Sequence, residues 1–140
     1  MLVLTPVFCG YYPDGCTDYI NDGVYGSFNC ILFDHQKVCP YVVTLNGSFT
    51  SQTALARERF AASSVWGPTC DSIDCVCPVA HLPTSLQVGD WLGFRNMGAY
   101  TTCAASQFNG FETSTVVYTS GVENTAEAGA VRRALAIDAY

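Results

Sequence analysis

The chain has 140 residues and a net charge of −6, with 49% hydrophobic and 13% charged residues. That is one domain's worth of polypeptide, apolar enough to bury a core rather than stay disordered. One lysine and five arginines give no basic stripe to neutralise phosphates, which sets nucleic acid aside. No apolar run approaches the roughly 20 residues that span a bilayer, and the opening MLVLTPVFCG lacks a basic leader, so neither membrane nor secretory signal is expected.

In chain order, Asn21-Asp22-Gly23 carries the small polar chemistry of a tight turn, and YGSFNCILF (25–33) then reads as a strand. PYVVTL (40–45) is a second strand, closed by Asn46-Gly47, and SQTALARERFAA (51–62) reads equally as a helical turn or a loop. Gly89-Asp90 precedes a strand at DWLGF (90–94), and two more strands are expected at AYTTCAAS (99–106) and STVVYTS (114–120), with Asn109-Gly110 turning between them. The tail differs in kind: Asn124, three residues before Glu127, is placed to cap a helix through AEAGAVRRALAI, with Val131, Leu135 and Ile137 among its apolar positions. Short strands at this spacing predict a mostly β barrel or sandwich with a short C-terminal helix.

Eight cysteines fit either a disulfide framework or buried thiols. Composition favours thiols and a cytoplasmic setting, because Cys30 and Cys103 sit in apolar runs where cysteine behaves as a small hydrophobe. The sequon Asn46-Gly47-Ser48 matters only in the secretory route. There is no glycine-rich phosphate loop and no GxSxG elbow. With two histidines, a His-rich metal site is excluded, and Cys75-x-Cys77 near Cys70 lacks the CxxC pairs of a zinc ribbon, so no metal is expected. His35 beside Asp34 has the parts of an oriented base, although a lone histidine at a strand end is more often simply hydrogen-bonded. Cys70-Asp71 pairs a thiol able to return a proton to carbon with a carboxylate able to hold a cation. Taken alone, Pro-Thr-Cys-Asp is also an ordinary turn.

Three blocks change those odds: TDYINDGVYGSFNCILFDH (17–35), SSVWGPTCDSID (63–74) and VGDWLGFRNMGAYTTCAASQFNGF (88–111). In this order they resemble the carboxyl-terminal β-barrel of eukaryotic ornithine decarboxylase, and "AASQFNGFETSTVVYTSG" resembles the fungal branch. The resemblance implies a Greek-key-like barrel, closed or incomplete, of the alanine racemase and ornithine decarboxylase type. The division it implies is a divergent segment over 1–18, the barrel over 19–121 and a helical tail over 122–140. Enzymes of this family use pyridoxal phosphate and form two sites across a head-to-tail dimer, an α/β barrel supplying the cofactor lysine and the β domain lending groups that touch substrate. By motif, Cys70 is similar to the residue that governs protonation at the reacting carbon. Asp71 and Asp34 resemble the two carboxylates on the substrate's distal amine, and Tyr25 a tyrosine lining the site. Tyr100 resembles the tyrosine beside the cofactor phosphate, Phe108 an aromatic residue at the dimer contact, and Asp74 an interface carboxylate that pairs with a partner's lysine.

The departures bear on function. No α/β barrel precedes this domain in the sequence, Lys37 is the single lysine, and MLVLTPVFCGYYPDGC stands where the family's first barrel strand belongs. Arg95 replaces an acid usual in the family, and CDSIDCVCPVAHLP is one residue longer than usual. The expectation is therefore a domain that binds pyridoxal phosphate only when another chain brings the lysine-bearing barrel, that pairs with itself or with a full-length decarboxylase-like chain, and that is inactive alone. The leading reading is the C-terminal part of a diamino acid decarboxylase of polyamine, alkaloid or other secondary-metabolite biosynthesis. The alternatives are a non-catalytic regulatory module derived from that domain and a small cofactor-free enzyme reusing its pocket on a small diamino acid or amine.

Overall fold

A computed structural model of the chain describes residues 3–12, 15–98 and 100–117. Its main sheet has six strands: β1 (Val3–Tyr12), β2 (Gly15–Ile20), β3 (Pro40–Val42), β6 (Phe60–Trp66), β7 (Cys75–Pro83) and β8 (Trp91–Phe94). They run in the order β3-β8-β1-β2-β6-β7, with β2 and β6 parallel and every other pair antiparallel. The two end strands, β3 and β7, approach one another, so the sheet curls into a nearly closed barrel. The expected mostly β, barrel-like fold is what forms; the expected C-terminal helix lies outside the described residues.

Residues 3–12 of the opening segment form a strand. β1 lies between β8 and β2 in the middle of the sheet, with Val3 opposite Phe94 and Val7 opposite Ile20. Pro40 at the start of β3 and Pro78 on β7 sit on end strands, where a missing donor is most easily tolerated, while Pro6 lies on central strand β1 opposite Trp91, at the last pair β1 makes with β8. Register shifts around Val65 mark bulges between β6 and β7 at the end nearest the loop that joins them.

Three expected strands do not form among the described residues. Residues 25–33 wind instead through tight turns into the short helix α1 (Cys30–Phe33). The turns are held locally: the Gly26 and Phe28 N–H groups both donate to the Gly23 carbonyl, at 2.9 and 3.0 Å, and the Ser27 N–H donates to Asp22, while Ser27, Phe28, Asn29 and Cys30 are buried in succession. A second short helix, α2 (Gln52–Leu55), is capped by the Ser51 side chain, which accepts from the Ala54 N–H at 3.2 Å. Residues 100–106 form turns and bends, and Cys103 is exposed, not a core hydrophobe. Residues 114–117 have no regular structure, and 118–120 lie outside the described residues.

The core is made by Val7, Ile20, Phe28, Val65, Leu82, Leu92, Phe94 and Met97, with Phe28 edge-on to Phe94 at 4.8 Å. Outside the six-stranded sheet, β4 (Thr44–Leu45) and β5 (Ser48–Phe49) form a hairpin whose two turn residues, Asn46 and Gly47, both take positive φ (52° and 74°). That is the turn whose twist matches a two-residue hairpin.

The loops are fastened by buried carboxylates. Asp90 accepts from the N–H groups of Asn46, Gly47 and Gln87 at 3.1, 2.9 and 3.0 Å, which ties the hairpin tip to the start of β8. Asp22 accepts from Gly23 and Ser27 N–H at 2.8 Å each and from the Ser114 hydroxyl at 2.6 Å. Asp74, with no exposed surface, accepts from Val24 N–H at 2.9 Å, Thr69 N–H at 3.0 Å and the Thr69 hydroxyl at 2.6 Å. Gly23 and Gly67 flank it so closely that a Cβ on either would overlap its carboxylate. Gly67→Ala should therefore destabilise the domain by about 1–3 kcal/mol, read as a lower urea midpoint. Gly98→Ala, where nothing lies within 4 Å of the added carbon, should leave the midpoint nearly in place; equal effects would remove the steric argument.

Candidate functional site

The loop from Gly67 to Asp74 joins β6 to β7 and carries Cys70 and Asp71. Its base is closed by the Gly67 N–H on the Asp74 carbonyl at 2.8 Å and its interior by the Asp74 N–H on the Asp71 carbonyl at 3.0 Å. The Thr69 hydroxyl donates to Asp74 and accepts from the Asp71 N–H at 3.4 Å. Because the same Asp74 carboxylate also holds the Val24 N–H, it fixes Tyr25 on one segment relative to Asp71 on the other. Those two residues, 46 positions apart, then meet directly: the Tyr25 hydroxyl donates to Asp71 Oδ2 at 2.5 Å.

Asp71's other oxygen, Oδ1, accepts from the Ile73 N–H at 3.0 Å, so the carboxylate is held at both ends. Tyr25 is anchored in turn: its carbonyl accepts from the Ser106 N–H at 2.8 Å and its ring stacks on Phe108 at 4.1 Å and 22°. Phe108 begins a short 3₁₀ turn (Phe108–Gly110). Tyr25, Asp71 and Phe108 thus form one continuous edge, half open to solvent, with the exposed Cys70 beside Asp71.

The remaining expected site residues lie around this edge. Asp34 is exposed at the C-terminal end of α1 and stands apart from the hydrogen bonds that join Tyr25 to Asp71. Tyr100 takes a positive φ of 62° and is largely exposed, its carbonyl accepting from Cys103 Sγ at 3.4 Å. Asp74 lies wholly beneath the surface of this chain, facing its own backbone donors. Sequence reasoning passed over Thr69 and Ser106, and the signal for Thr69 was already in WGPTCD: a hydroxyl two residues before Asp71 and five before Asp74 is spaced to serve both. Among the described residues no group of three or more His, Cys, Asp or Glu side chains is arranged to hold a metal ion, and no helix is long and apolar enough to cross a membrane.

The electrostatics follow from the Tyr25 and Asp71 pairing. The tyrosine hydrogen bond, then the Ile73 N–H, holds the Asp71 carboxyl below its usual range. The same bond to Asp71, with lesser help from burial and from the Asp71 and Asp74 charges, pushes the Tyr25 hydroxyl up to about 12. Asp71 is therefore an anion with fixed orientation at neutral pH, and Tyr25 a neutral donor. A depressed carboxyl pKa contributes stability above the ordinary carboxylate range that is lost as pH falls through the folded value. A raised tyrosine pKa contributes stability below about 10 that is lost as pH rises through about 12. Tyr25→Phe should move the Asp71 carboxyl up toward an ordinary aspartate in a carbon-detected NMR titration and remove a phenol that ionises at about 12 in an ultraviolet titration. An Asp71 value that stays put would show that the bond does not form in solution.

Residues 12–98 match the family model described as pyridoxal-dependent decarboxylase, C-terminal sheet domain. Ornithine decarboxylase of Schizosaccharomyces pombe is 51% identical over 100 residues, covering 71% of this chain and 23% of that protein. Antizyme inhibitor 2 of Xenopus laevis is 48% identical over 100 residues, covering 71% of this chain and 20% of that one. Among solved structures, lysine/ornithine decarboxylase of Vibrio vulnificus complexed with cadaverine superposes with a TM-score of 0.67 at 31% identity, covering 81% of this chain and 28% of that one. The chain thus spans about a quarter of the length of the relatives it matches. With the matched region, the sheet and the relatives in agreement, the chain belongs to the pyridoxal-dependent decarboxylase family, through that family's C-terminal sheet domain.

Proposed function

We propose that this domain supplies the amine-reading edge of a diamino acid decarboxylase site whose cofactor is held outside residues 3–117. One observation carries the reading: Asp71 is fixed by Tyr25 and Ile73 yet keeps accepting lone pairs toward solvent, beside the open thiol of Cys70. An oriented, ionised carboxylate is the acceptor that a terminal ammonium selects, because a charge-assisted hydrogen bond is about twice as strong as a neutral one. Cys70, one residue away, is placed to return a proton to the carbon that loses carbon dioxide, and Asp34 is the candidate for a second acceptor on the ammonium. Phe108 and Tyr25 present a flat apolar wall against which the methylene chain of such a substrate packs. In this reading Asp74 is the pin that keeps Tyr25 and Asp71 in register.

In this reading the described residues contribute to a pyridoxal site rather than enclose one. Lys37, the single lysine, is exposed and lines grooves that include neither Tyr100 nor the Tyr25 and Asp71 edge. The cofactor's contribution, an electron sink for the bond that breaks, therefore has to come from residues elsewhere, in a longer polypeptide or a second chain. A homodimer or a pairing with a full-length decarboxylase satisfies that need. A polyamine or secondary-metabolite role and a cytoplasmic location accompany this reading.

A second reading is favoured by one finding: the same sheet, at 48% identity, occurs in a relative named antizyme inhibitor 2, so the frame accommodates a regulatory protein as well as an enzyme. Fusing the lysine-bearing part of the S. pombe relative to this chain separates the two. An active chimera whose KM for ornithine rises about tenfold or more, roughly 1.4 kcal/mol, on Asp71→Asn supports the catalytic reading. A folded chimera that holds the cofactor without turnover supports the regulatory one and removes the first.

A further inference from the structure

A separate cavity lies elsewhere in the described residues. A groove of about 750 Å³ opens between the 36–39 segment, β3, the β5–α2 connection and the 95–97 turn. It shares no lining residue with the Tyr25 and Asp71 edge or with Tyr100. Its volume is that of a small-molecule site. Its chemistry departs from the rest of the chain: in a protein with twelve acidic and six basic residues, the groove is lined by Lys37 and Arg95 and by no carboxylate.

Arg95 is also held in place. Gly93 on β8 leaves room for the Tyr41 ring, which lies where a Cβ at position 93 would be. The guanidinium of Arg95 sits over that ring, 4.9 Å from its centroid. A guanidinium over a ring face leaves N–H groups to meet an acceptor, so the glycine and tyrosine together place a cationic donor at the groove. Ser51 adds a free proton: its oxygen accepts from the Ala54 N–H, which leaves its own O–H to donate. Beneath these groups the floor is apolar, with Val42 and Met97 buried and Leu55 packed against the core.

We infer that this groove binds a small amphipathic anion, a carboxylate or phosphate head on an apolar or aromatic body, with Arg95 and Lys37 on the head and the floor formed by Val42, Leu55 and Met97 under the body. The site is independent of the decarboxylase reading, because it uses none of the same residues and needs no second chain.

Calorimetric titration of the whole chain with phenyl phosphate and with phenylacetate tests it, with benzylamine and inorganic phosphate as controls. Saturable one-to-one binding of either aromatic anion, weakened about tenfold or more by Arg95→Gln and by Lys37→Gln, is the expected result, and the tighter of the two names the head group. Tyr41→Phe should retain binding and Tyr41→Leu should weaken it, because the ring face positions Arg95 while the hydroxyl does not. Equal binding of benzylamine, equal binding of inorganic phosphate, or indifference to Arg95→Gln would each overturn the assignment. Both basic side chains are exposed, so the two substitutions leave the fold intact and circular dichroism verifies that they do.

Discussion

The carboxylate of Asp74 is the constraint on which the site edge depends. A charge with no exposed surface carries a desolvation penalty of several kcal/mol unless its lone pairs are filled, and here they are filled by two N–H groups and one hydroxyl rather than by a cation. Those donors come from two segments, Val24 on the turn after β2 and Thr69 in the loop after β6. Satisfying the charge therefore forces the two segments together. Glycines at 23 and 67 are the steric condition for that approach, and the meeting of Tyr25 with Asp71 follows from it.

Asp22 and Asp90 repeat the device. Each is buried, and each gathers N–H groups that a turn would otherwise leave without partners. An unpaired buried N–H costs about as much as a lost hydrogen bond, so one carboxylate serving several N–H groups removes several such costs at once. This explains how a domain with few charges and short elements keeps long connections ordered: each of the three loop systems is built around an anion from its own chain. Among the described residues, the buried structural carboxylates Asp22, Asp74 and Asp90 are thus distinct from Asp71 and Asp34, which solvent reaches.

How far the fold could be read from sequence varied with the physical signal. Asn46-Gly47 demanded positive φ at both positions, and the hairpin formed there because few other pairs tolerate that geometry. PYV and WLGF are short β-rich runs and are strands. FAASSVW escaped notice because alanine and serine have weak strand preference, and CVCPVAHLP because a proline argues against a strand unless the strand is an end one, which sequence does not reveal. YGSFNCILF misled for the reason short apolar runs generally do: its aromatic and branched residues suit a strand, while the backbone N–H groups around it are taken up by the Gly23 carbonyl and the Asp22 carboxylate in turns. The site divides in the same way. Cys70 and Asp71 were legible as neighbours within a family block, and Tyr25 as a member of another. Their bond was not, since it spans 46 positions and depends on a third carboxylate whose inward direction only the folded chain displays.

Two open regions of the domain differ in sign, and local geometry accounts for the difference without any long-range sorting of charge. At the Asp71 edge, Tyr25 offers its hydroxyl and Ile73 its N–H to an anion, which lowers the carboxyl's pKa and leaves outward lone pairs suited to a cation. At the groove, Tyr41 offers a ring face to a cation, which orients Arg95 and leaves outward N–H groups suited to an anion. A tyrosine thus fixes the charged partner in both places, by its hydroxyl in one and its π-face in the other, and the partner's unused hydrogen-bonding edge sets what each surface selects. A net charge of −6 does not prevent a local pair of basic side chains, Lys37 and Arg95, from attracting an anion where no carboxylate lines the same groove.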